Sequence, residues 1–406
     1  MVTLLRQRNF ALLWWAGLIS ATGSWLLSVA LPVYVYQQTG STLATGSMFI
    51  AQGLPYILFS SVAGVFVDRW DRKRTMIIAG FLRALLLLLL LLVTSASSIW
   101  LIYVVAFFQA FVSLFFGPAE NALLPKLVGQ EHLTTANSLN AINDSIPRLI
   151  GPPIGGALLV SLGLPVVALL NSICFVISSL MVAQITVSTS QAQGITVTNL
   201  RAPRTAWLRL WQEWREGLQV VIRDRTIATI FGAIATASIG DGVVGVLLVV
   251  FVDQVLQGGA VAYGWVLTAR GVGGLVGGFI IGQFVKHVQP MKLLAGGLGG
   301  TGVLVLAMAN VPALPLTLVL IAVIGIAVTV WVVSTRTLLQ SNISDTYQGR
   351  VFSAYVTTNE LLALVGIGLA SILGESVSIT TLLSGAGVFY IFAAIIGSSA
   401  LSHFKK

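Results

Sequence analysis

Charged residues are scarce in this chain. They make up 9% of the 406 residues, against roughly a quarter in a typical soluble domain. Hydrophobic residues make up 56%, and the mean hydropathy is +0.94. This balance excludes an ordinary soluble globular protein and indicates an integral membrane protein. The single cysteine, Cys174, also excludes an internal disulfide or a thiolate metal cluster.

Catalytic motifs are missing as well. The three histidines, His132, His287 and His403, fall in predicted loops or at the C-terminus, and the chain contains no HExxH, no P-loop and no nucleophile elbow. These absences argue against a membrane enzyme and an ATP-driven pump, and we expect no metal site and no cofactor. The net charge of +9 could indicate a nucleic-acid partner, but the basic residues are confined to alternate loops and the two ends, so none is expected.

Long apolar runs dominate what is present. Each is long enough for the ~20 residues with which a helix crosses a bilayer. They predict twelve transmembrane helices in an all-α membrane protein, at residues 10–36, 42–67, 75–94, 98–119, 137–161, 164–187, 226–252, 261–285, 291–309, 313–335, 350–373 and 378–402. The first span is too long for a signal-peptide core and is expected to be retained.

Basic residues predict the topology. Six alternate loops, the first at residues 37–42 and the last at 374–378, contain no lysine or arginine. By the positive-inside rule, both termini and the basic loop at residues 68–74 are cytoplasmic. The predicted location is the cell membrane, plasma or inner.

The sequence divides into two halves and a linker. Shifting it by 218 residues aligns eight identities in residues 40–67 without a gap, six of them at glycine or alanine, the small residues that let helices approach closely. We predict an N-terminal six-helix bundle at 1–187, a cytoplasmic linker at 188–225 and a C-terminal bundle at 226–406. Apolar residues of the linker recur at helical spacing: Trp207, Trp211, Trp214, Leu218 and Val221. They predict an amphipathic helix that lies in the membrane interface. The alternative is an aromatic ligand site.

Six ionisable residues fall inside predicted spans. Each costs at least ~2.5 to 3.5 kcal/mol at the centre of a helix, so each is expected to face a cavity or a partner. Proton-coupling candidates are Asp241, Glu360 and Asp144, since a carboxylate without a full partner can bind and release a proton; the charge partners are Arg270, Arg148 and Arg83. Structural pairing is the competing interpretation: Arg270 with either Asp241 or Glu360, and Arg148 with Asp144 four residues before it.

Polar and aromatic residues at membrane depth are candidates for a central cavity. They are Trp25, Tyr34, Gln52, Gln109, Asn140 and Asn171. The competing interpretation is that some of them hold helices together by hydrogen bonds.

Two motifs carry a resemblance to a known family. The stretch GVFVDRWDRKR is similar to the loop between helices two and three of the major facilitator superfamily, matching at Gly64, Asp68, Arg69, Arg72 and Lys73, with Asp71 where that family usually has glycine. The stretch RLIGPPIGG resembles part of its antiporter motif at Gly151, Pro152, Gly155 and Gly156. Residues 116–140 resemble its macrolide, multidrug and siderophore exporter branch, and the resemblance covers essentially the whole chain.

The resemblance implies two pseudo-symmetric six-helix bundles and a cavity between them, worked by alternating access. It implies that Asp68 lies by the start of span eleven, near Arg350, and holds the cytoplasmic side closed. Alternatively, Asp68 caps span three or balances nearby arginines in solvent. Lys286 takes the equivalent place in the second half, so this latch is expected to be one-sided. We expect a monomeric exporter, in the lipid bilayer, of a bulky, mostly apolar small molecule in exchange for protons. The alternatives are a lipid or lysolipid flippase and a siderophore exporter. Asp71 has no explanation from the sequence alone.

Overall fold

The protein is helical throughout the part that the structure describes. The computed structural model describes residues 2–186, 204–284 and 288–399, and no β-strand occurs in those ranges. The helices are α1 (Val2–Leu5), α2 (Arg8–Thr39), α3 (Thr42–Arg69), α4 (Arg72–Leu88), α5 (Trp100–Val128), α6 (Leu133–Ala183), α7 (Arg204–Arg223), α8 (Arg225–Val250), α9 (Gly259–Phe284), α10 (Pro290–Asn310), α11 (Leu314–Asn342), α12 (Asp345–Leu373) and α13 (Ile379–Ser399).

The prediction of twelve membrane helices is confirmed. Within the described ranges, 11 helical segments are long and apolar enough to cross a membrane. One of them, Gln130–Ala183, is 54 residues long and contains the fifth and sixth predicted spans. Its helical path breaks at Gly163, whose φ of 77° and ψ of 173° suit a residue without a side chain. That residue separates the two spans.

The chain divides into two compact units. Unit 1 comprises Met1–Tyr34 with Ala51–Leu208, and unit 2 comprises Val35–Ile50 with Arg209–Lys406. In unit 1, α4 packs against α5 and α6; in unit 2, α8 packs against α12 and α13, while α11 packs against α9 and α10. The predicted division into 1–187, 188–225 and 226–406 stays a prediction.

Glycines permit the closest helix contacts. In unit 1, a Cβ at Gly155 would lie 2.8 Å from the Leu26 Cα, so this residue lets α6 touch the backbone of α2. In unit 2, a Cβ at Gly277 would lie 2.9 Å from the Ile326 Cα, which brings α9 equally close to α11. Gly155, a glycine of the antiporter-like motif, therefore serves helix packing.

The amphipathic linker helix forms, but its second half packs against protein. Gly217 is buried against the backbone of Arg350, and Val221 is only 3% exposed. Trp214 donates a hydrogen bond from Nε1 to Thr358 Oγ1 at 3.3 Å. This half of the apolar stripe packs against α12. The sequence predicts instead that the stripe faces the membrane interface. The side chains of Trp207 and Trp211 lie outside the described residues.

Candidate functional site

Unit 1 contains a polar cavity of about 560 Å³. Helices α2, α4, α5 and α6 supply its walls. Its polar lining consists of two carboxylates, one guanidinium, two serines and four asparagines: Glu120, Asp144, Arg83, Ser20, Ser24, Asn121, Asn137, Asn140 and Asn143. Trp25 and Phe116 supply the aromatic part of the surface. The cavity can therefore accept a ligand with both polar and apolar groups.

Glu120 is the one ionisable residue of this cavity lining that the sequence did not predict. The predicted span ended at residue 119, whereas α5 continues to Val128 and carries Glu120 inside a helix. No described residue forms a hydrogen bond or ion pair with the Glu120 carboxylate, and Asp144 acts on it electrostatically. A Cβ at Gly17 would lie 3.1 Å from Glu120 Oε1, so a glycine of α2 makes room for this carboxylate.

Arg83 is held at the cavity wall by neutral partners. Its Nε donates to Gln109 Oε1 and its Nη2 donates to Ser24 Oγ, each at 3.1 Å. Gln109 returns a bond from Nε2 to the Arg83 carbonyl at 2.7 Å, and the guanidinium carbon lies 4.0 Å from the centre of the Phe175 ring. These contacts fix Arg83 without a carboxylate.

The predicted cavity residues fall into two groups. Trp25 and Asn140 line the cavity. Gln109 does not line it, but accepts a hydrogen bond from Arg83, which does. Tyr34 and Gln52 do not line it. Asn171 is fully buried in α6, with neither its Nδ2 nor its Oδ1 hydrogen-bonded among the described residues, and it does not line this cavity. Its place in a central cavity stays a prediction.

Asp144 and Arg148 lie on the same side of α6. Asp144 lines the cavity, and the guanidinium carbon of Arg148 lies 5.9 Å from the centre of the Trp25 ring. Both residues therefore point to the α2 side of α6. Their ion pair stays a prediction.

Asp241 lies in a small enclosed site of unit 2. Its Oδ1 accepts a hydrogen bond from the Tyr390 hydroxyl and lies 3.9 Å from Nη2 of Arg270. The surrounding space of about 10 Å³ holds at most one water and is otherwise lined mainly by aliphatic side chains. Arg270 thus pairs with Asp241, one of the two alternatives that the sequence left open. Glu360, on α12, is exposed and has no hydrogen bond or ion pair with any described residue.

Asp71 caps α4. Its φ of −65° and ψ of 115° place it just outside the helix, and its Oδ1 accepts from the Arg74 backbone N–H at 2.8 Å. An aspartate at this position satisfies a free helix donor and opposes the positive helix end. The cap of span three is therefore Asp71, and the alternative that gave this role to Asp68 is corrected.

The rest of the predicted gate motif is described in part. Arg350 Nη1 lies 3.2 Å from Oε2 of Glu216 on the linker helix, so its described partner is Glu216. The side chains of Asp68 and Arg69, the surroundings of Gly64, and all of Lys286 lie outside the described residues. The latch between Asp68 and the start of α12 stays a prediction.

A second carboxylate caps a helix from a distant part of the sequence. Glu375, between α12 and α13, accepts from Ser41 Oγ at 2.7 Å and from the Leu43 backbone N–H at 2.9 Å. These bonds hold the pKa of Glu375 below its usual value. The contact is therefore present at neutral pH and is lost as the pH falls through that lowered pKa. It ties residues 35–50 to the rest of unit 2.

Apolar helices that span a membrane, together with a polar cavity among four of them, define an integral membrane transporter. The chain belongs to the Major Facilitator Superfamily, whose family model matches residues 13–366. It is accordingly a multi-pass membrane transporter and not an enzyme.

Relatives with transporter names match over almost the whole chain. The uncharacterized MFS-type transporter YfiS of Bacillus subtilis is 24% identical, and the alignment covers 93% of this chain and 89% of YfiS. Macrolide efflux protein A of Streptococcus pyogenes is 23% identical, covering 94% and 93%. A crystal structure of a bacterial homologue of the iron transporter ferroportin, in an inward-facing state, superposes with a TM-score of 0.77 at 17% identity, covering 98% of each chain. That likeness establishes the fold alone.

Proposed function

We propose that the protein exports a bulky, mostly apolar small molecule by alternating access, in exchange for protons. The observation that carries the direction is the similarity to macrolide efflux protein A along 94% of the chain. The cavity of unit 1 supports a small-molecule substrate, since its aromatic and polar walls enclose about 560 Å³. The antiporter-like motif, from Gly151 to Gly156, is consistent with the exporter branch.

The transport assay uses everted membrane vesicles that contain the protein, with an imposed pH gradient. We expect accumulation of a macrolide or a cationic dye that depends on the gradient and collapses with an uncoupler. Parallel assays of a siderophore and of a labelled lysolipid test the alternatives. Flipping of the lysolipid without any dependence on pH would contradict the proposal and favour a flippase.

Glu360 is the proposed proton carrier of unit 2. Its carboxylate has no ion-pair partner among the described residues, whereas Asp241 is engaged by Arg270 and Tyr390. A carboxylate must lose its charge to carry a proton across a membrane, and a standing cation opposes that loss.

We therefore expect Glu360→Gln to abolish accumulation driven by the pH gradient while substrate exchange at equal pH continues. The reason is that exchange needs the cavity to alternate but needs no net proton movement. Glu131→Gln, at an exposed carboxylate between α5 and α6, removes the same charge and should leave both rates unchanged. Gradient-driven accumulation by the Glu360 variant would contradict the assignment.

The loop before α4 offers a second test. We propose that Asp68 restrains the start of α12, as the family resemblance implies. Asp68→Asn should lower turnover several-fold without reducing the amount of folded protein, because a neutral amide holds a helix end and a nearby arginine less strongly. The measurements are the transport rate in vesicles and the amount of protein in the membrane.

Asp71→Asn is the matched control for Asp68→Asn. It removes the same charge from the same loop, yet asparagine is as good a helix cap as aspartate. Turnover should therefore be unchanged. Equal turnover in both variants would reduce Asp68 to a solvated loop charge.

A further inference from the structure

Three side chains of the unit 1 cavity offer hydrogen-bond acceptors to a ligand: Glu120, Asp144 and Asn143. Glu120, on α5, contributes a carboxylate that no described residue bonds, and Asp144, on α6, adds a second carboxylate to the same cavity. Asn143 is 5% exposed; its Nδ2 donates to the Trp14 carbonyl at 2.8 Å, while its Oδ1 has no partner among the described residues. A buried acceptor without a donor is costly, so a ligand with N–H groups fits this wall.

The ionisable residues of the cavity lining are mostly acidic. Its two carboxylates outnumber its one guanidinium, and Arg83 already donates to Gln109 and Ser24 and faces the Phe175 ring. A cation in the cavity would reduce the electrostatic repulsion between the Glu120 and Asp144 carboxylates. An anionic ligand would meet two acidic groups and one guanidinium that neutral partners already engage.

The apolar part of the wall lies beside these acceptors. Trp25 and Phe116 line the same cavity. Aromatic faces attract cations as well as apolar groups, so a molecule with an ammonium group on a hydrophobic body satisfies both parts of the lining.

We propose that Glu120 selects substrates by binding a protonated amine, with Asp144 and Asn143 as further acceptors in the same cavity. This inference rests on the proposed function, because it names the class of molecule exported. The substrate would then be an amphiphilic organic cation. The other three asparagines of the lining, Asn121, Asn137 and Asn140, would contact its hydroxyl or carbonyl groups.

The test is a binding measurement on the full chain in lipid nanodiscs, with two fluorescent probes. One is a dansyl group on an alkyl chain that ends in a primary amine; the other ends in a hydroxyl. We expect the wild type to bind the amine at least about tenfold more tightly, as one charge-assisted hydrogen bond provides. Glu120→Gln should remove this preference by weakening only the amine, and Glu120→Asp should retain part of it.

Glu131→Gln serves as the control for net charge, and thermal unfolding of each variant verifies that it is folded. Equal affinity of the wild type for the two probes would overturn the proposal, as would an unchanged preference in Glu120→Gln. Loss of the preference in Asp144→Asn alone would overturn the assignment to Glu120. Since no gradient is applied, binding can succeed where export fails, and the proposed function is then the part that is wrong.

Discussion

Gly273→Ala is expected to destabilise unit 2 by forcing α9 away from α11. A Cβ at Gly273 would overlap the carbonyl oxygen of Ala322 and would lie 2.7 Å from its carbonyl carbon. The clash is with backbone, so no side-chain rotation relieves it. Overpacking of a rigid site typically costs about 1 to 3 kcal/mol, and a larger residue such as leucine should prevent folding.

Gly278→Ala is the matched control on the same helix. Gly278 is exposed, and a Cβ there would meet nothing within 4 Å. Both substitutions raise the helix propensity equally, so a difference between them isolates the packing of α9 against α11. The measurement is the yield of monodisperse protein in detergent and its midpoint of thermal unfolding. Equal midpoints for the two variants would refute the packing argument.

The positions of the membrane helices were predictable because they depend on local properties. Length and hydropathy alone set the spans, and even the break inside α6 falls between the two predicted runs, at Gly163. Their ends were less predictable. Polar residues that continue a helix past the apolar run, such as Glu120 and Asn121 in α5, do not register as membrane-spanning sequence.

That difference in helix ends explains why Glu120 was missed. With the fourth span ending at residue 119, Glu120 falls just outside the predicted spans. In the structure, Leu123, Leu124 and Val128 of the following turns are buried, and their packing extends the helix. Glu120 then faces α2 and α6, and its carboxylate lies at the wall of the cavity.

Long-range pairing was the other unpredictable element. Asp241 and Tyr390 are 149 positions apart, and Ser41 and Glu375 are 334 apart. Sequence shows that these groups are polar but not which of them meet. Asp71 shows the opposite case: its cap contact reaches only three residues along the chain and follows local rules, yet the resemblance drew attention to Asp68.

The engagement of Asp241 changes which carboxylates can couple transport to protons. An acid that is held by a cation and a hydroxyl is suited to holding α8, α9 and α13 together. Glu360, without such partners among the described residues, retains the freedom that a proton carrier needs. A structural role and a proton-carrying role for Asp241 therefore predict different results for variants of Asp241 and Arg270.

Arg270→Gln is expected to destabilise unit 2 by about 1 to 3 kcal/mol, because it leaves the partly exposed Asp241 carboxylate with only the Tyr390 hydroxyl. Asp241→Asn should also destabilise it, by leaving the charge of Arg270 without its partner. The double variant Asp241→Asn, Arg270→Gln removes both charges, and its loss should be much smaller than the sum of the two single losses. Tyr390→Phe, which removes only the hydrogen bond, should cost about 1 to 3 kcal/mol.

The double variant also distinguishes a role of Asp241 in folding from a role in proton-coupled transport. If the pair serves folding, the double variant recovers stability and gradient-driven transport together, because Glu360 still carries the proton. If Asp241 itself carries the proton, stability recovers while gradient-driven transport remains absent and exchange at equal pH continues. Chemical unfolding in detergent supplies the first quantity and vesicle transport the second. Additive losses in the two single variants would show that Asp241 and Arg270 do not act as a pair, and recovered folding without coupled transport would return Asp241 to the proton pathway.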